Sequence, residues 1–299
     1  MITVAIPTYN RGAIVADCVR RVLALDPPPH DVIVVDQSKE LNAGLARLHD
    51  EGCIRLIRLE QPSIPHAMNT ALLAATTPVV LFLDDDVEPS PALIRGHAEA
   101  YDDPAVWAVV GQCLQPGEEP ARSPQRTETL PDLEFRFNHD ERRDVRNVIA
   151  MNLSMRRERA LEIGGFDENF VMVAYRFESD FALRLAARGG RILFEPRARV
   201  RHLKIPSGGT RAYGDHKSSA SPAHSAGDYY FARFHAPSFV RYALRRLRRN
   251  VLTRYHLAHP WAIPPKLIGE LRGMLLARRL ARGGRKLLPR PARYGEIAP

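Results

Sequence analysis

The residues that most clearly could do chemistry are three consecutive aspartates at 84–86, which directly follow the apolar run at 79–83. Adjacent carboxylates repel one another, so a divalent cation that neutralises them makes such a cluster favourable. Oxygen ligands suit Mg²⁺ or Mn²⁺, and an ion held in this way commonly bridges a diphosphate. A solvated acidic turn after a strand is the simpler alternative. The triplet alone indicates a hard-cation site without establishing one.

Three further acids stand where a strand ends or a helix begins. Asp36 closes the apolar run at 32–35, and a helix cap or a turn is its simplest role. Glu178 and Asp180 open a helical segment. Asp180 precedes Arg184 by four residues, which is the spacing of an ion pair on one helix face.

The elements that would hold these acids alternate between wholly apolar strands and amphipathic helices. The predicted strands are 2–6, 32–35, 54–59, 79–83, 106–110, 147–155, 191–194 and 198–202, and the predicted helices are 13–25, 66–75, 91–101 and 175–189. This alternation predicts an α/β fold with a mostly parallel central sheet that helices flank on both faces. Ligands of such sheets bind beyond the carboxyl ends of the strands, where Asp36 and the triplet fall.

Five segments carry a more specific pattern. In chain order they read VAIPTYNR (4–11), VIVVDQS (32–38), LFLDDDVEP (81–89), NLSMRRERALEIGGFDENF (152–170) and ESDFALRLAARGGRILFEPRARVRH (178–202). Together they resemble family 2 glycosyltransferases of the Rossmann-like GT-A fold, over about residues 1–202. The resemblance implies an inverting transfer of a sugar from a UDP, dTDP or GDP donor. It implies that Asp36 contacts the base, and its carboxylate can accept a hydrogen bond from a ring N–H of uracil, thymine or guanine. Cytosine lacks that donor, which disfavours a cytidine nucleotide. It also implies Mn²⁺ or Mg²⁺ as cofactor and a hydroxyl of a glycan, lipid-linked or secondary-metabolite acceptor, such as a cell-envelope glycan.

The same resemblance implies roles for individual residues. The residues expected to bind the nucleotide are Pro7, Thr8, Asn10, Arg11, Asp36, Asn69, Asp84 and Asp85. The residues expected to bind the metal are Asp86, Asp84 and His202. The residues expected to bind the acceptor are Asn152, Gly165, Phe166 and Asp167. Glu178 is the expected catalytic base, and Asp180 is the second catalytic candidate. Structural roles are the alternatives, namely a strand end for His202, a β-turn for Asp167 and a helix cap for Thr8 or Asn10.

Three departures from the family pattern leave the donor open. Where relatives often have Ala-Arg-Asn-X-Gly, this chain has Ala-Met-Asn-Thr-Ala at 67–71, so an arginine that could contact a phosphate is missing. His66 stands next to this segment and could compensate. The second aspartate that usually follows Asp36 is replaced by Gln37. The acid pair that is usual near 178 is also altered. None of these departures removes the expected metal ligands or the expected base.

Net charge is distributed unevenly along the chain. The 299 residues carry a net charge of +9, but 241–299 contains 15 Lys and Arg against 2 Asp and Glu, while 1–240 is net negative. We therefore predict a catalytic domain at 1–204, with a nucleotide-sugar half (1–112) and an acceptor half (113–204). We also predict a flexible loop at 205–228, which is expected to close over bound donor. A basic helical tail is predicted at 229–299.

The tail carries two apolar stripes at helical spacing. The first comprises Val240, Leu244, Leu247, Val251 and Tyr255, and the second comprises Leu267, Leu271, Met274 and Leu275, with arginines over much of the remaining surface. Either the stripes pack on the catalytic domain, or they dock on an anionic membrane surface through residues 240–290. No nucleic acid is expected as a partner, because no recognised binding motif is present.

The expected location is cytoplasmic, with peripheral attachment to the cytoplasmic face of the membrane as an extension. The three scattered cysteines suit a reducing compartment, and neither a signal peptide nor an apolar run of about 18 residues is visible. Two other functions stay open. One is a catalytically idle adaptor built on a nucleotide-sugar fold, and the other is a nucleotidyltransferase, for which the segment PTYNRG offers one glycine where several are usual.

Overall fold

The computed structural model describes residues 1–122, 136–205, 208–209 and 213–289. In these ranges the strands are β1 (Ile2–Thr8), β2 (Asp31–Asp36), β3 (Arg55–Arg58), β4 (Val79–Leu83), β5 (Val87–Pro89), β6 (Val106–Leu114), β7 (Arg143–Asp144), β8 (Asn152–Arg156) and β9 (Arg191–His202). The helices are α1 (Ile14–Leu23), α2 (Ala43–Asp50), α3 (Ile64–Ala74), α4 (Leu93–Glu99), α5 (Arg157–Glu162), α6 (Phe177–Ala186), α7 (Ala226–His235), α8 (Phe239–Val251), α9 (Arg254–Ala258) and α10 (Ile263–Arg282). Parts of the predicted acceptor half, loop and tail lie outside the described residues.

One sheet runs in the order β3-β2-β1-β4-β8-β6-β9-β5, with β7 beside β9. The four strands β3, β2, β1 and β4 are parallel, as their apolar runs predict. β6 and β9 are parallel to each other and run in the same direction as these four strands, so the sheet is mostly parallel, whereas β8 between β4 and β6 is antiparallel to both. A buried strand has the same apolar pattern in either direction, and the sequence therefore did not reveal this reversal.

Helices cover both faces of the sheet, which confirms the predicted α/β architecture. Alternate residues of β1 point to opposite faces. Val4 and Ile6 pack in the cluster that contains the buried side of α1. Ala5 packs in the other cluster, which contains the buried side of α3. These two cores fix the strand ends from which the polar residues project.

Strand pairing brings distant polar residues to one edge of the sheet. Thr8 and Asp36 are register partners at the ends of β1 and β2. β4 ends at Leu83, immediately before the three aspartates. The predicted strands 191–194 and 198–202 form the single strand β9, whose last residue His202 pairs with Val87 of β5. The pairing places this histidine beside the end of the acidic triplet.

The predicted C-terminal helices are present, and α7 joins them to the core. The predicted boundary before residue 229 falls inside α7, whose Tyr229, Tyr230 and Phe231 are fully buried in the larger core cluster. The predicted 205–228 loop also ends early, because a 3₁₀ turn forms at Pro222–His224 and α7 begins at Ala226. Buried aromatic residues of α7 thus anchor the basic segment to the larger core cluster.

None of the helices within the described ranges is long and apolar enough to cross a membrane. Cys18 and Cys113 are buried free thiols, and Cys53 is an exposed one.

Candidate active site

A cleft of about 650 Å³ opens at the carboxyl ends of β1 and β4. Its lining includes Thr8 from β1, Asp84 and Asp85 from the triplet, and Glu178 from α6. Four polar side chains from three separate segments thus converge in a concave site of the size that small ligands occupy.

Three potential metal ligands lie together at this edge of the sheet. Ligand atoms of Asp84, Asp86 and His202 are all within 4.8 Å of one another. His202 Nε2 lies 3.2 Å from Asp86 Oδ1, and its Nδ1 is 3.0 Å from Gln115 Oε1. A partner on the second ring nitrogen is a common feature of histidines that bind metals, because it orients the imidazole.

The middle carboxylate, Asp85, is held differently. It accepts a hydrogen bond from Thr8 Oγ1 at 2.7 Å and pairs with Arg11 Nε at 2.9 Å. Arg11 also lies 3.5 Å from Asp86 Oδ2, which accepts a hydrogen bond from the backbone N–H of Ile205. The structure therefore places Arg11 between two carboxylates and makes it part of their charge balance.

The pKa values of the three aspartates show that the nearby positive charges do not neutralise them completely. Burial and the charges of Asp85 and Asp86 raise the pKa of Asp84 to about 7. Burial raises the pKa of Asp85 to about 6, although Arg11 and Thr8 oppose the shift. Burial acts in the same direction on Asp86, but His202 and Arg11 outweigh it and hold its pKa below the usual range. An added cation would lower the cost of ionising all three.

The donor set fits a hard divalent cation. Asp86 is fully buried, and its Oδ1 makes no well-directed hydrogen bond although His202 approaches it. A buried carboxylate oxygen without a hydrogen-bond donor is costly unless a ligand satisfies it. Two carboxylates and one imidazole are ligands that Mn²⁺ accepts, and Mg²⁺ would depend more on the oxygens.

Glu178 lies in the same cleft, at the second position of α6. The backbone N–H of Ala150 donates to Glu178 Oε1 at 3.4 Å. Burial raises its pKa to about 7. A carboxylate with this pKa can take a proton from a substrate near neutral pH, as a general base must.

The loop before α6 is strained. Met172, Ala174 and Arg176 have φ values of 62°, 54° and 75°, in the left-handed region that residues with a β-carbon rarely adopt. Ala174 and Arg176 line the cleft next to Glu178. Such strain commonly concentrates where a fold holds functional groups.

Asp36 lies in a neighbouring pocket of about 440 Å³ that Thr8, Asn10 and Arg11 also line. Its Oδ1 accepts from the Ser38 backbone N–H at 2.9 Å. Its Oδ2 is buried without a hydrogen-bond partner, although the Arg58 guanidinium is 3.6 Å away. A base N–H could satisfy this oxygen, so the geometry is compatible with the expected nucleotide contact.

Asp180 is not in the cleft and is a structural residue. Arg184 Nε donates to Asp180 Oδ2 at 2.8 Å, and His235 Nε2 lies 2.8 Å from Oδ1, which also accepts from Arg285. Although burial opposes the charge, His235, Arg184 and Arg285 together hold the pKa of Asp180 far below its usual range. The structure thus corrects its assignment as a catalytic candidate and supports the helical ion pair.

We expect Asp180→Asn to destabilise the fold by about 3–5 kcal/mol at pH 7, because two half-buried guanidinium groups lose their charged and fully buried partner. Since the folded pKa is depressed, this contribution is complete above the unfolded pKa near 4 and is lost as the pH falls toward the folded pKa. Urea unfolding of both proteins at pH 7 and near pH 3 measures the difference. The control is Asp17→Asn at the exposed ion pair with Arg20, expected to change stability by about 0.5 kcal/mol or less.

A similar unfolding curve for Asp180→Asn and wild type at pH 7 would contradict the buried network. A loss of transfer without any loss of stability would instead return Asp180 to the catalytic residues.

Asn152 does not line the cleft but lies inside the sheet. Its Oδ1 is 2.8 Å from His97 Nε2, and its Nδ2 donates to the carbonyls of Gln112 and Ala198. Burial lowers the pKa of His97 to about 4, which keeps the imidazole neutral in this network. The expected acceptor contact is thereby corrected, because the amide is fully used in joining β8 to neighbouring strands.

The expected acceptor residues of the 164–170 loop are also structural. Phe166 is fully buried and stacks on Phe181, with ring centroids 4.5 Å apart. Asp167 is fully buried and accepts from Tyr230 OH at 2.9 Å and from the Lys286 backbone N–H at 2.9 Å. These contacts join the loop to the C-terminal segment rather than to the cleft.

Gly165 and Asn69 hold this loop in place. Gly165 has φ +61°, and a β-carbon there would lie 2.5 Å from Asn69 Oδ1. The Asn69 amide donates to Phe166 O and Glu168, and its oxygen accepts from the Phe166 backbone N–H. Both amide protons are committed, so the structure gives Asn69 a positioning role instead of the expected nucleotide contact.

Sequence reasoning missed several residues of the cleft wall. Tyr175, Arg176, Asn147 and Arg249 all line the cleft. Arg249 was assigned to the tail, and nothing in the local pattern of α8 indicates that one of its arginines reaches the catalytic side. Arg176 directly precedes α6 and stands two residues before Glu178. This closeness in sequence was the one signal that could have identified Arg176 as a residue of the cleft wall.

Comparisons with known proteins show which family the chain belongs to. Residues 3–165, more than half of the chain, match the family model described as Glycosyl transferase family 2. A glucosyl-dolichyl phosphate glucuronosyltransferase of Haloferax volcanii is 27% identical over 217 residues, which cover 67% of this chain and 68% of that protein.

Two solved structures share the fold. The mannosyltransferase PcManGT from Pyrobaculum calidifontis, in complex with GDP-Man and Mn²⁺, has a TM-score of 0.55 and 20% identity over 94% of this chain and 79% of that one. GalNAc-T7 with UDP, GalNAc and Mn²⁺ has a TM-score of 0.64 and 13% identity over 98% of this chain and 59% of that one. At these identities the likeness concerns the architecture alone.

Proposed function

Because the chain belongs to glycosyl transferase family 2 and is a glycosyltransferase with the GT-A fold, we propose that it transfers a sugar, with inversion, from a nucleotide-diphosphate donor to an acceptor hydroxyl. Mn²⁺ or Mg²⁺ is the proposed cofactor. Both solved structures named above contain Mn²⁺ together with a nucleotide or nucleotide sugar, and we extend that ligand class to this chain.

The observation that carries the proposal is the meeting of two groups in one cleft. Asp84 belongs to the potential metal cluster, and Glu178 has a pKa raised to about 7; both line the same 650 Å³ space. A binding protein without catalysis has no need of an acid tuned in this way beside its ligand.

Asp84, Asp86 and His202 would hold the cation, and Gln115 would orient the histidine. When bound, the cation would neutralise the donor diphosphate and stabilise the nucleoside diphosphate that leaves. Asp85 stays paired with Arg11 and Thr8 and keeps the loop that carries these ligands in place.

Glu178 would take the proton from the acceptor hydroxyl as the oxygen attacks the anomeric carbon. The hydroxyl O–H bond breaks toward the carboxylate, the new glycosidic bond forms, and the bond to the diphosphate breaks on the opposite side. Direct displacement of this kind inverts the configuration. The Ala150 backbone N–H would help to hold the carboxylate in position.

The donor experiment tests the function directly. We expect wild type with Mn²⁺ to release nucleoside diphosphate from UDP-, dTDP- or GDP-sugars and not from CDP- or CMP-sugars. Asp36→Ala should weaken binding of the accepted nucleotide by about tenfold or more, because the base loses a charged hydrogen-bond acceptor. Calorimetry with each nucleoside diphosphate measures this loss, and Asp31→Ala at the start of β2 is the control.

Absence of both turnover and Mn²⁺-dependent nucleotide binding across this donor panel would contradict the proposed function. Binding without turnover under all conditions would favour the idle adaptor instead. Equal binding by Asp36→Ala and wild type would remove Asp36 from the nucleotide site.

We also propose that the C-terminal helices dock on an anionic membrane surface. Within residues 239–282, which contain α8, α9 and α10, the exposed large apolar side chains are Val240, Leu244, Leu252, Leu257, Trp261, Leu267, Ile268, Leu271 and Leu275. α10 packs inward with a face of small and polar residues, where a β-carbon on Gly273 would lie 2.0 Å from Ser225 Oγ. Leu267, Leu271 and Leu275 of the α10 stripe therefore face outward, whereas Met274 packs against the larger core cluster. This arrangement disfavours packing of the three leucines on the catalytic domain.

Charge complementarity favours a membrane as the partner. The exposed arginines of these helices include Arg241, Arg248, Arg272, Arg278, Arg279 and Arg282. Apolar side chains flanked by arginines are typical of helices that lie in an anionic lipid interface. A second copy of the chain docked through the same surface would bring like charges together, so self-association is disfavoured.

We expect the double variant Leu271→Ser/Leu275→Ser to bind phosphatidylcholine–phosphatidylglycerol vesicles at least about tenfold more weakly than wild type at low salt, because two apolar anchors are lost. Vesicle co-sedimentation measures the change. Leu73→Ser, an exposed leucine on α3, is the control and should bind like wild type. Unchanged vesicle binding, or a dimer that dissociates only in the double variant, would contradict membrane docking.

A further inference from the structure

The wall of the catalytic cleft presents one exposed aromatic ring, that of Tyr175. Its side chain is 46% exposed, whereas Phe82 and Phe177, which also line the cleft, are buried. Among the described residues of the cleft wall, Tyr175 is the most exposed aromatic residue. Aromatic side chains in a concave site commonly supply the apolar contact area for its ligand. The exposure of Tyr175 therefore indicates a ligand that covers the ring.

The backbone on both sides of Tyr175 is strained and held in place. Ala174 and Arg176 have φ values of 54° and 75°. Ala174 is fully buried, its N–H donates to the Val171 carbonyl at 3.0 Å, and its own carbonyl accepts from the Phe177 N–H at 3.1 Å. Such strain persists only where surrounding contacts enforce it, and it commonly concentrates at ligand sites.

Helix α7 supports this loop from behind. A β-carbon on Gly227 would lie 2.3 Å from the Tyr175 carbonyl oxygen, so only glycine allows the helix to approach the loop backbone this closely. The Arg176 guanidinium lies over the Tyr175 ring, 5.1 Å from its centroid, and also over the ring of Phe231 in α7. A guanidinium covers one face of a ring and leaves the other face for a ligand. A ring that is already oriented in this way loses little side-chain entropy when a ligand binds.

Tyr175 stands apart from the expected nucleotide contact. The pocket around Asp36 shares Thr8 and Arg11 with the cleft, but Tyr175 is not among its described lining residues. Tyr175 instead borders a second cavity of about 370 Å³ that adjoins the cleft. It precedes Glu178, the proposed base, by three residues, and both line the cleft. In the proposed function, the substrate that reaches this base is the acceptor.

We infer that Tyr175 is a stacking platform for a sugar ring of the acceptor, and this inference rests on the proposed function. The face of an aromatic ring carries partial negative charge, and the C–H groups on one face of a pyranose carry partial positive charge. The hydroxyl groups at the rim of the sugar stay free to form hydrogen bonds and to react. The acceptor class that fits is a saccharide whose pyranose ring carries the attacking hydroxyl, whereas a lipid alcohol or a bare polyprenyl phosphate has no such ring.

Saturation-transfer NMR with methyl glycosides tests the platform without any turnover. The probes are the methyl pyranosides of glucose, galactose, mannose, glucuronic acid and N-acetylglucosamine. Each is titrated into the full-length protein in separate samples with Mn²⁺ and UDP, dTDP or GDP. We expect Tyr175→Phe to bind the preferred glycoside like wild type, because the ring remains. Tyr175→Leu should bind it about tenfold more weakly, because leucine keeps the apolar bulk but lacks the ring face.

The matched control is Phe234→Leu. It removes an aromatic ring from a 37% exposed position of α7 that is not among the described residues lining the cleft, and it should bind the glycoside like wild type. Equal melting temperatures of Tyr175→Phe and Tyr175→Leu separate loss of the ring from loss of the fold. Calorimetry with the nucleoside diphosphate should give the same dissociation constant for wild type and Tyr175→Leu.

Equal glycoside binding by Tyr175→Leu and wild type, or no glycoside binding by wild type, would overturn the platform. If Tyr175→Phe weakened binding as much as Tyr175→Leu, the hydroxyl rather than the ring would make the contact, and stacking would be wrong. A loss of nucleotide binding by Tyr175→Leu with unchanged glycoside binding would assign the ring to the donor and equally contradict the inference.

Donor turnover by the same wild-type sample separates this inference from the proposed function. Turnover of a donor, together with equal glycoside binding by Tyr175→Leu and wild type, sinks the platform alone. Glycoside binding that depends on the ring, without turnover of any donor, sinks the proposed glycosyl transfer and leaves a saccharide-binding platform.

Discussion

Glu178→Gln is expected to lower the rate of sugar transfer by about 10²–10⁴-fold while the protein still binds donor and Mn²⁺. The amide keeps the shape of the side chain but cannot accept the proton of the acceptor hydroxyl. Glu178 lies in the cleft at the start of α6, and its carboxylate contacts the backbone N–H of Ala150. The loss should therefore appear in kcat, with little change in the dissociation constant of the donor.

The matched control is Glu158→Gln, which makes the same chemical change in the exposed first turn of α5 and should transfer sugar like wild type. Comparable rates for Glu178→Gln and wild type would remove Glu178 as the base. Loss of donor binding together with transfer would show that the glutamate acts on the donor rather than on the acceptor.

The pH profile gives Glu178 a second, independent readout. Burial raises its pKa to about 7, and only the deprotonated form can act as a base. Below pH 7 the rate should therefore rise about tenfold per pH unit, and it should level off above about pH 8. The measurement uses saturating Mn²⁺ so that metal binding does not set the slope, and the residual activity of Glu178→Gln should lack the inflection. A flat wild-type profile between pH 5 and 8 would contradict the assignment.

Asp86→Asn is expected to weaken Mn²⁺ binding by at least about 100-fold and to reduce transfer to a comparable degree. Loss of an outer partner of a metal ligand already costs about 10–100-fold, and this change removes a charged ligand from the first shell. Asp86 is buried beside His202 and has an unsatisfied oxygen. Titration of Mn²⁺ by electron paramagnetic resonance measures the affinity without any need for activity.

Added Mn²⁺ should restore part of the transfer by Asp86→Asn, because the defect lies in binding. The control, Asp50→Asn at the exposed end of α2, should match wild type in both measurements. An unchanged Mn²⁺ affinity would show that the triplet does not hold the metal. A normal affinity with lost transfer would move Asp86 from the metal to the substrate.

The sequence predicted the positions of the acids well, because those positions follow from local rules. An apolar strand that ends in polar residues places them at the edge of the sheet whatever the rest of the chain does. Asp36 and Asp84 follow this rule, and both lie at strand ends that border pockets. His202 closes β9 in the same way, although its partner Asp86 is more than a hundred residues away.

The sequence did not reveal which of the acids are already neutralised. Asp167 and Asp180 look as available as Glu178 along the chain, but Arg285 from the C-terminal segment donates to Asp180 and lies 3.8 Å from Asp167. Tyr230 of α7 also donates to Asp167. Contacts over such sequence distances leave no trace in local periodicity, and therefore Asp167 was misplaced at the acceptor.

The sequence by itself determined the alternation of strands and helices, the amphipathic character of the C-terminal helices and the acids at the strand ends, because each depends on neighbours a few residues apart. Only the tertiary structure decided the direction of β8, the commitment of Asn152 and Asp167 to buried hydrogen bonds, and the outward orientation of Leu271 and Leu275. A helix with one apolar face and one charged face can direct either of these faces toward the core. Here the close approach of Gly273 to Ser225 and the buried pairing of Arg246 with Glu270 settle that choice.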